Sequence, residues 1–153
     1  MIVRIAEAEI EDAREILVLQ RLAYMSEARI YNDFTIPPLT QTPEEIEAEF
    51  GQQLFLKATV DDRIVGSVRA RLEGDSCLVG RLIVSPAYQD QGIGSTLMGE
   101  IESRFGRVRR FELFTGHRSR RNLYLYRKLG YEPFRTVPVT DDLKLVYLEK
   151  WAA

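Results

Sequence analysis

The residues best suited to bind a ligand lie in the short segment Gln89-Asp90-Gln91-Gly92-Ile93-Gly94. An apolar, strand-like segment precedes it, and an amphipathic, helix-like segment follows it. Peptide N–H groups in the first turn of a helix have no carbonyl partner within the helix, and the helix dipole adds partial positive charge there. Glycines at 92 and 94 lack the Cβ atoms that would keep an anion away from these groups. The segment therefore predicts a binding site for a phosphate group.

The composition restricts the classes of function. With 153 residues, of which 45% are hydrophobic and 29% charged, the chain is expected to form one globular domain over residues 1–153. A net charge of −2 argues against a general nucleic-acid binder, which needs clustered basic surface. A local excess of arginine nevertheless suits a small polyanion; it comprises Arg107, Arg109, Arg110, Arg118, Arg120 and Arg121.

Single copies of cysteine and histidine exclude several kinds of site. Cys77 is the only cysteine, so an intrachain disulfide and a cysteine metal cluster are impossible, and no metal is expected. A catalytic triad would have to use His117, the only histidine. The sequence has no apolar run of about 18 residues, and its acidic N-terminal region does not resemble a signal peptide. A cytoplasmic protein without a membrane partner is therefore expected.

Hydrophobic periodicity predicts the elements that position the glycine segment. The expected helices span 9–26, 42–51, 93–105 and 119–129, and the expected strands span 2–6, 54–60, 64–72, 77–84, 111–115, 134–137 and 143–150. The segment 27–41 is expected to be irregular, with Pro37 and Pro38 holding it extended. The residues Thr42-Pro43-Glu44-Glu45 are typical of a capped helix start.

The connections between these elements restrict the topology. Two short turns join the three strands between residues 54 and 84, which predicts an antiparallel meander. The strand–helix–strand unit that follows predicts a parallel, right-handed crossover. This order excludes a Rossmann or P-loop nucleotide fold, and the Gly-Lys-Ser/Thr of a P-loop is absent from the sequence.

Three motifs in this order resemble those of the GCN5-related N-acetyltransferase (GNAT) superfamily. They are Val84-x-Pro86, Gln89-x-x-Gly92-x-Gly94 and Leu125-Tyr126-Arg127-Lys128-Leu129-Gly130-Tyr131. The inferred element order also matches that family along nearly the whole chain. The resemblance implies an α+β (mixed α/β) fold, with a central, mostly antiparallel twisted sheet of about six or seven strands flanked by about four helices.

The resemblance also implies that the turn binds the pyrophosphate of acetyl-coenzyme A. The residues assigned to this cofactor are Gln89, Asp90, Gln91, Gly92, Ile93, Gly94, Ser95 and Thr96. Backbone groups of Leu82, Ile83 and Val84 are expected to pair with the pantetheine arm as an added strand would. The alternatives are that the glycines serve only a tight turn and that the strand is only buried.

Acetyl transfer to an amine expels the coenzyme A thiolate, which a positioned hydroxyl can protonate or stabilise by a hydrogen bond. The resemblance assigns this role to Tyr126, which could instead be a core tyrosine. Seven residues before Tyr126, where many family members have asparagine, the chain has Ser119; Asn122 follows within one helical turn. Either Ser119 or Asn122 is expected to contact the pantetheine arm, and Ser119 could instead cap the helix.

The reaction also needs a group that removes a proton from the amine. Glu112, in the strand after the cofactor helix, is the best-placed carboxylate in the sequence. Because it alternates with Phe111 and Leu113, its side chain lies on the face opposite theirs and could instead be solvated. A water molecule is the other candidate for the base.

The resemblance assigns the acceptor amine to the first helical region. Glu27, Tyr31 and Phe34 belong to an acidic and aromatic cluster there, which suits an ammonium group. The two aromatic side chains could instead pack the irregular segment.

Together these residues predict an N-acetyltransferase that transfers an acetyl group from acetyl-coenzyme A to a primary amine of a small molecule or peptide by direct attack. Cys77 begins a strand without an evident base beside it, which argues against an acyl-enzyme. Two alternatives stay open: a non-catalytic sensor or regulatory module that binds acyl-coenzyme A, and an interaction protein in which the turn is only structural. Homodimers occur in the family, so a homodimer is a possible assembly.

Overall fold

Seven strands form one sheet in the order β1-β2-β3-β4-β5-β7-β6 in the computed structural model, which describes residues 1–152. The strands are β1 (Arg4–Glu7), β2 (Leu54–Val60), β3 (Arg63–Glu73), β4 (Ser76–Val84), β5 (Arg110–Gly116), β6 (Glu132–Pro138) and β7 (Lys144–Trp151). Only β4 and β5 pair in parallel; every other neighbouring pair is antiparallel. The expected α+β fold with a mostly antiparallel sheet is therefore confirmed, including the meander and the parallel crossover.

The helices divide between the two faces of this sheet. They are α1 (Ala13–Ala23), α2 (Met25–Tyr31), α3 (Pro37–Thr40), α4 (Pro43–Glu49), α5 (Ile93–Arg104) and α6 (Arg120–Lys128), with short 3₁₀ helices at Ile10–Asp12 and Pro86–Tyr88. On one face, α5 and α6 bury Leu97, Met98 and Tyr126 against the sheet. On the other, α1 and α4 bury Ile16 and Ile46. None of the helices described has both the length and the apolar character needed to cross a lipid bilayer.

The prediction of an irregular segment over 27–41 is wrong in two places. Helix α2 continues to Tyr31, where Asn32 ends it with a left-handed backbone (φ 49°). Pro37 and Pro38 begin α3 instead of holding the chain extended. Proline is tolerated in the first turn of a helix, because the N–H that it lacks would have no helical partner there.

The helix start at Thr42 is confirmed. Thr42 Oγ1 accepts a hydrogen bond from the Glu45 N–H at 3.2 Å, and a Glu45 carboxylate oxygen accepts one from the Thr42 N–H at 2.9 Å. This reciprocal capping box satisfies two amides that the helix itself cannot.

A buried polar cluster fixes the segment around α3 against the sheet. Arg69 of β3, which is 2% exposed, donates to the Oε1 atoms of Gln20 and Gln41 at 3.1 and 3.2 Å. Its guanidinium also pairs with Glu49 at 3.4 Å, and Gln20 donates to the Pro38 carbonyl at 2.9 Å. Burial lowers the pKa of Arg69 to about 10, so the side chain remains charged at neutral pH. Loss of Glu49 would leave this buried charge without its carboxylate, which costs about 3–5 kcal/mol.

Strands β4 and β5 separate partway along their length. They pair only from Ser76–Leu78 to Arg110–Glu112, whereas β4 stays paired with β3 as far as Val84 and β5 stays paired with β7 as far as Gly116. An irregularity in β4 accompanies the separation: Arg81 has a left-handed backbone (φ 50°), and the register with β3 shifts between Ser67 and Arg69. An extra residue in one strand bends it away from its partner. The carboxyl-terminal halves of β4 and β5 therefore leave a gap in the sheet.

Candidate active site

A cavity of about 720 Å³ lies beside this gap. Its lining comes from the end of β4, the glycine turn with the start of α5, the start of α6, and the α1–α2 region. The expected site residues that line it are Glu27, Leu82, Ile83, Val84, Gln89, Asp90, Gly92, Ile93, Gly94, Ser95, Ser119 and Asn122. The expected residues that do not line it are Gln91, Thr96, Tyr31, Phe34, Glu112 and Tyr126. Segments distant in sequence therefore converge on one cavity.

The glycine turn presents unpaired amides to the cavity. Gly92 has φ 81° and immediately precedes α5, and no side chain caps the helix. The first backbone bond of the helix runs from the Thr96 N–H to the Gly92 carbonyl at 3.0 Å, which leaves the amides of residues 93–95 without a helical partner. A Cβ built on Gly94 would lie 3.6–3.8 Å from Leu82, Val84 and Leu125. The first turn of α5 thus faces the cavity with amides and almost no side-chain bulk.

Neighbouring residues hold the turn in place. Gln89 donates to the Val84 carbonyl at 3.3 Å, and Asp90 accepts from Arg121 of α6 at 3.0 Å. The Thr96 hydroxyl donates to the Gly92 carbonyl at 2.9 Å, so it is engaged within the helix. Gln91 is exposed and lies outside the cavity lining.

The charge at this end of the cavity is positive. Four basic side chains from the start of α6 and the residues around it line the cavity, whereas among the described lining residues Glu27 and Asp90 are the only acids; the basic residues are Arg118, Arg120, Arg121 and Lys128. The arginines belong to the cluster that the sequence associates with a polyanion. Lys128 was not singled out, although its position seven and eight residues after Arg121 and Arg120 puts it on the same helix face.

A directional chain of hydrogen bonds ends on Glu27. Ser119 donates its one hydroxyl proton to the Glu27 carboxylate at 2.6 Å, so the 2.7 Å contact between the Tyr31 and Ser119 hydroxyls has Tyr31 as donor. The Tyr31 oxygen in turn accepts from the Arg118 amide at 2.9 Å. The chain fixes the Glu27 carboxylate beside the start of α6. Tyr31 itself is buried behind Ser119, and so has a supporting position outside the cavity lining.

Gly116 makes this arrangement possible. A Cβ at position 116 would overlap the Tyr31 hydroxyl and lie 2.9 Å from Ser119 Oγ. The close approach of α2 to the end of β5 therefore requires glycine there.

The side chains of Ser119 and Asn122 differ in the hydrogen-bonding atoms that remain available for a ligand. Ser119 stands at the N-cap position of α6 but makes no capping hydrogen bond, because its hydroxyl is committed to Glu27 and Tyr31. The alternative that Ser119 caps the helix is therefore wrong. Asn122 Nδ2 donates to Glu27 at 2.9 Å and to Thr115 at 3.2 Å. Among the described residues Asn122 Oδ1 has no donor, so Asn122 retains an unused acceptor at the cavity wall.

Tyr126 is buried (7% exposed), and its hydroxyl makes no hydrogen bond to any described residue. Burial raises the pKa of Tyr126 well above its usual range, and the nearby Tyr24 and Glu27 raise it further. The hydroxyl therefore keeps its proton at neutral pH. Tyr24 and Glu27, the two neighbours that raise the pKa of Tyr126, both line the cavity.

Glu112 and Phe34 lie away from this arrangement. Glu112 is half-buried and pairs with Arg110 at 2.7 Å, and Arg110 also binds Glu149 at 2.7 Å. This ion-pair cluster lies where β4 and β5 are still joined, so Glu112 is engaged outside the cavity lining. Phe34 is 49% exposed on the segment after α2 and does not reach the cavity either.

The model of the acetyltransferase (GNAT) domain family matches residues 51–133, which is more than half of the chain. Among curated proteins, the UPF0157 protein YqkA of Bacillus subtilis (strain 168) is 25% identical over 154 residues, covering 92% of this chain and 44% of that protein. The chain thus spans less than half the length of that relative.

Solved structures share the fold over nearly the whole chain. An acetyltransferase of the GNAT family from Streptococcus pneumoniae has a TM-score of 0.78 and 22% identity, covering 99% of this chain and 100% of that chain. The PaiA N-acetyltransferase from Thermoplasma acidophilum, solved in complex with coenzyme A, has a TM-score of 0.74 and 20% identity, covering 99% of each chain. The domain match, with the strand order and the split between β4 and β5, identifies the chain as a member of the GNAT acetyltransferase family.

Proposed function

We propose that this protein is an N-acetyltransferase that moves an acetyl group from acetyl-coenzyme A to a primary amine of a small molecule or peptide by direct attack. The observation that carries the proposal is a single cavity that joins the unpaired amides at the start of α5 to Glu27, next to the buried Tyr126. We also propose that residues 1–153 act as one acetyltransferase domain.

The residues present fit coenzyme A. The amides of residues 93–95 and the basic side chains near α6 suit its phosphates, because a helix N-terminus and guanidinium groups both favour anions. The β4 residues Leu82, Ile83 and Val84 offer a strand whose neighbour has moved away. Asn122 Oδ1 offers an acceptor for a pantetheine amide on the opposite wall. The Thermoplasma relative that shares this fold was solved in complex with coenzyme A, which favours coenzyme A as the ligand class.

When bound, acetyl-coenzyme A supplies the acyl carbon to which the amine nitrogen bonds and the sulfur that leaves, so that ammonium plus thioester gives amide, thiol and one proton. Tyr126 holds its proton because burial raises its pKa, and its hydroxyl has no other acceptor among the described residues. It is therefore suited to donate a hydrogen bond to the leaving sulfur. The gap between β4 and β5 leaves backbone N–H groups available to polarise the carbonyl.

Glu27 is better placed than Glu112 to bind the ammonium group and accept its proton. The Glu27 carboxylate lines the cavity and is oriented by Ser119 and Asn122, whereas Glu112 is neutralised by Arg110. We therefore assign the amine side of the reaction to Glu27, which accepts the proton directly or through one water molecule.

Replacing each carboxylate by its amide distinguishes these two residues. Glu27→Gln is expected to lower kcat/KM for the amine at least about tenfold, since a charge-assisted contact contributes about 1.5–3 kcal/mol. Glu112→Gln, the matched control, is expected to leave kcat/KM unchanged. Steady-state kinetics with calorimetric measurement of acetyl-coenzyme A affinity checks both variants. A larger loss of kcat/KM in Glu112→Gln than in Glu27→Gln would instead identify Glu112 of β5 as the base.

The proposal as a whole is tested by two measurements on the same protein. Isothermal calorimetry with acetyl-coenzyme A should show binding at micromolar ligand, and release of free thiol should be detected with at least one member of an amine panel. Absence of binding at high micromolar ligand would favour a purely structural turn. Binding without thiol release across the panel would favour a non-catalytic sensor.

A further inference from the structure

Arg81 is the one buried or half-buried Lys or Arg side chain among residues 1–152 that has no carboxylate partner. Five Lys and Arg side chains in this range are buried or half-buried, and four of them pair with a carboxylate: Lys57 with Asp12, Arg69 with Glu49, Arg110 with Glu112 and Glu149, and Lys150 with Glu102. Arg81 is half-buried and has no carboxylate within salt-bridge distance in the described part of the chain. Sheltered charges are normally paired, so the exception requires an explanation.

The backbone at Arg81 is also unusual. Its φ of 50° lies in the left-handed region, which a long side chain rarely adopts. The residue forms the irregularity in β4 immediately before Leu82, which lines the cavity. Strained backbone positions persist where the surrounding structure imposes them, and they concentrate at functional sites. The irregularity therefore places a guanidinium without a carboxylate partner next to Tyr24 of the cavity wall, although Arg81 itself is not one of the lining residues.

The Arg81 guanidinium lies over the ring of Tyr24 and not beside a carboxylate of the described residues. Its guanidinium carbon lies 5.9 Å from the centre of the Tyr24 ring, and Tyr24 lines the cavity. Burial raises the pKa of the Tyr24 hydroxyl, while the nearby charges of Arg81 and Arg69 and a hydrogen bond from Arg81 oppose that rise. Arg69 is already bound to Glu49. The carboxylate of Glu27 accepts hydrogen bonds from Ser119 and Asn122 and forms no salt bridge with Arg81.

We propose that Arg81 binds an anionic group of the acceptor while Glu27 binds its ammonium group, so that the acceptors are small amines that carry a carboxylate, such as amino acids. This inference rests on the proposed function, because it assigns the acceptor of that same cavity. Tyr24 relates the two charged groups: its ring centre lies 5.9 Å from the Arg81 guanidinium carbon, and it lines the same cavity as Glu27, whose charge acts on its hydroxyl. An amine without an anionic group would leave Arg81 unpaired, and such a site discriminates against it.

The test compares acceptors that differ only in charge. Standard L-α-amino acids and ω-amino acids of increasing chain length are each assayed beside the corresponding amide, which keeps the shape and removes the negative charge. The proteins are the wild type, Arg81→Asn, Arg81→Lys and the exposed control Arg71→Asn. Asparagine tolerates a left-handed backbone, so Arg81→Asn removes the charge without adding strain. Circular dichroism and the thermal unfolding midpoint establish that each variant is folded.

For the wild type, at least one amino acid is expected to be a better acceptor than its amide. Arg81→Asn should raise the KM of that amino acid about tenfold or more, as for loss of one charged hydrogen-bonding partner, and should change the KM of the amide little. Arg81→Lys should recover part of the loss, and Arg71→Asn should match the wild type. For each acceptor, the ratio of variant to wild-type KM does not depend on the basicity of its amine, because the same acceptor is used with both proteins.

A binding measurement separates failure of this inference from failure of the proposed function. The protein saturated with coenzyme A is titrated with the amino acid in a calorimeter, and Arg81→Asn is expected to bind it more weakly by the same factor. If no amine is acetylated but this difference in affinity remains, the catalytic proposal fails and the anion site stands. The role of Arg81 would be overturned if Arg81→Asn weakened the amino acid and its amide equally. It would also be overturned if the wild type preferred amines without a carboxylate.

Discussion

Gly94→Glu is expected to abolish measurable binding of acetyl-coenzyme A while the protein remains folded. A side chain at position 94 would extend from the first turn of α5 toward Leu82, Val84 and Leu125, which are 3.6–3.8 Å from its Cβ. The glutamate carboxylate would then occupy the space in front of the unpaired amides and accept their hydrogen bonds itself. A negative charge in the first turn is also favourable for the helix, so the fold should tolerate the change. We expect the dissociation constant, measured by calorimetry, to rise at least about a hundredfold, which corresponds to about 2.8 kcal/mol.

Gly99→Glu is the matched control for this prediction. It adds the same charge to the same helix, but a Cβ at Gly99 meets no other atom within 4 Å, and residue 99 does not line the cavity. Its affinity for acetyl-coenzyme A should equal that of the wild type. Gly92 is a poorer site for the test, because its φ of 81° would strain any other residue and confuse loss of binding with loss of structure. Retained affinity in folded Gly94→Glu protein would contradict the pyrophosphate assignment.

Local signals predicted most of the fold. The capping box at Thr42 satisfies its amides with residues three positions away, and the strands of the meander are separated by turns of a few residues. Neither feature depends on distant parts of the chain, so both are visible in the sequence. The end of α2 and the start of α3 were missed for the opposite reason. The segment around Pro38 is fixed by Gln20, which is tied to Arg69 of β3, and such contacts have no local signature.

The candidate site divides in the same way. The glycine turn, which we propose as an anion site, is local, so its residue types alone make it visible in the sequence. The contact between Glu27 and Ser119 joins residues 92 positions apart, and that between Glu27 and Asn122 joins residues 95 apart. No spacing rule could have paired them, which is why Glu112 was the best-placed carboxylate by sequence. The face of Glu112 follows from strand alternation, and Arg110, two residues earlier on the same strand, shares that face and forms its ion pair. Arg81 gave no signal, because its importance comes from a backbone irregularity that depends on β3.

The hydrogen-bond chain through Ser119 gives the two halves of the cavity a common element. Glu27 belongs to the α1–α2 region, whereas Ser119 and Asn122 belong to the helix that also contributes Tyr126. If an ammonium group bound to Glu27 and altered its hydrogen bonds to Ser119 and Asn122, the start of α6 would therefore be affected. Tyr126 of that helix is the residue that we propose as the hydrogen-bond donor to the leaving sulfur.

Tyr126→Phe is expected to lower kcat about ten- to a thousandfold, a range typical for loss of one acid–base group, with little change in affinity for acetyl-coenzyme A. The hydroxyl has no hydrogen-bond partner among the described residues, and phenylalanine keeps the buried ring, so the free energy of unfolding should hardly change. Because burial raises the pKa of Tyr126, the hydroxyl stays protonated through neutral pH, and the ratio of wild-type to variant kcat should not vary between about pH 6 and pH 8.

Tyr131→Phe provides the control, because it removes a buried hydroxyl from the same region without touching the cavity. The Tyr131 hydroxyl donates to Glu102 at 2.9 Å, and its ring centre lies 6.0 Å from that of Tyr126. Losing that hydrogen bond should lower the free energy of unfolding by about 1–2 kcal/mol and leave kcat unaltered. The two variants therefore separate a chemical role from a packing role: the first should be stable and slow, the second less stable and fast. Unaltered kcat in Tyr126→Phe would remove Tyr126 from the mechanism and leave the leaving sulfur to be stabilised by backbone amides and water.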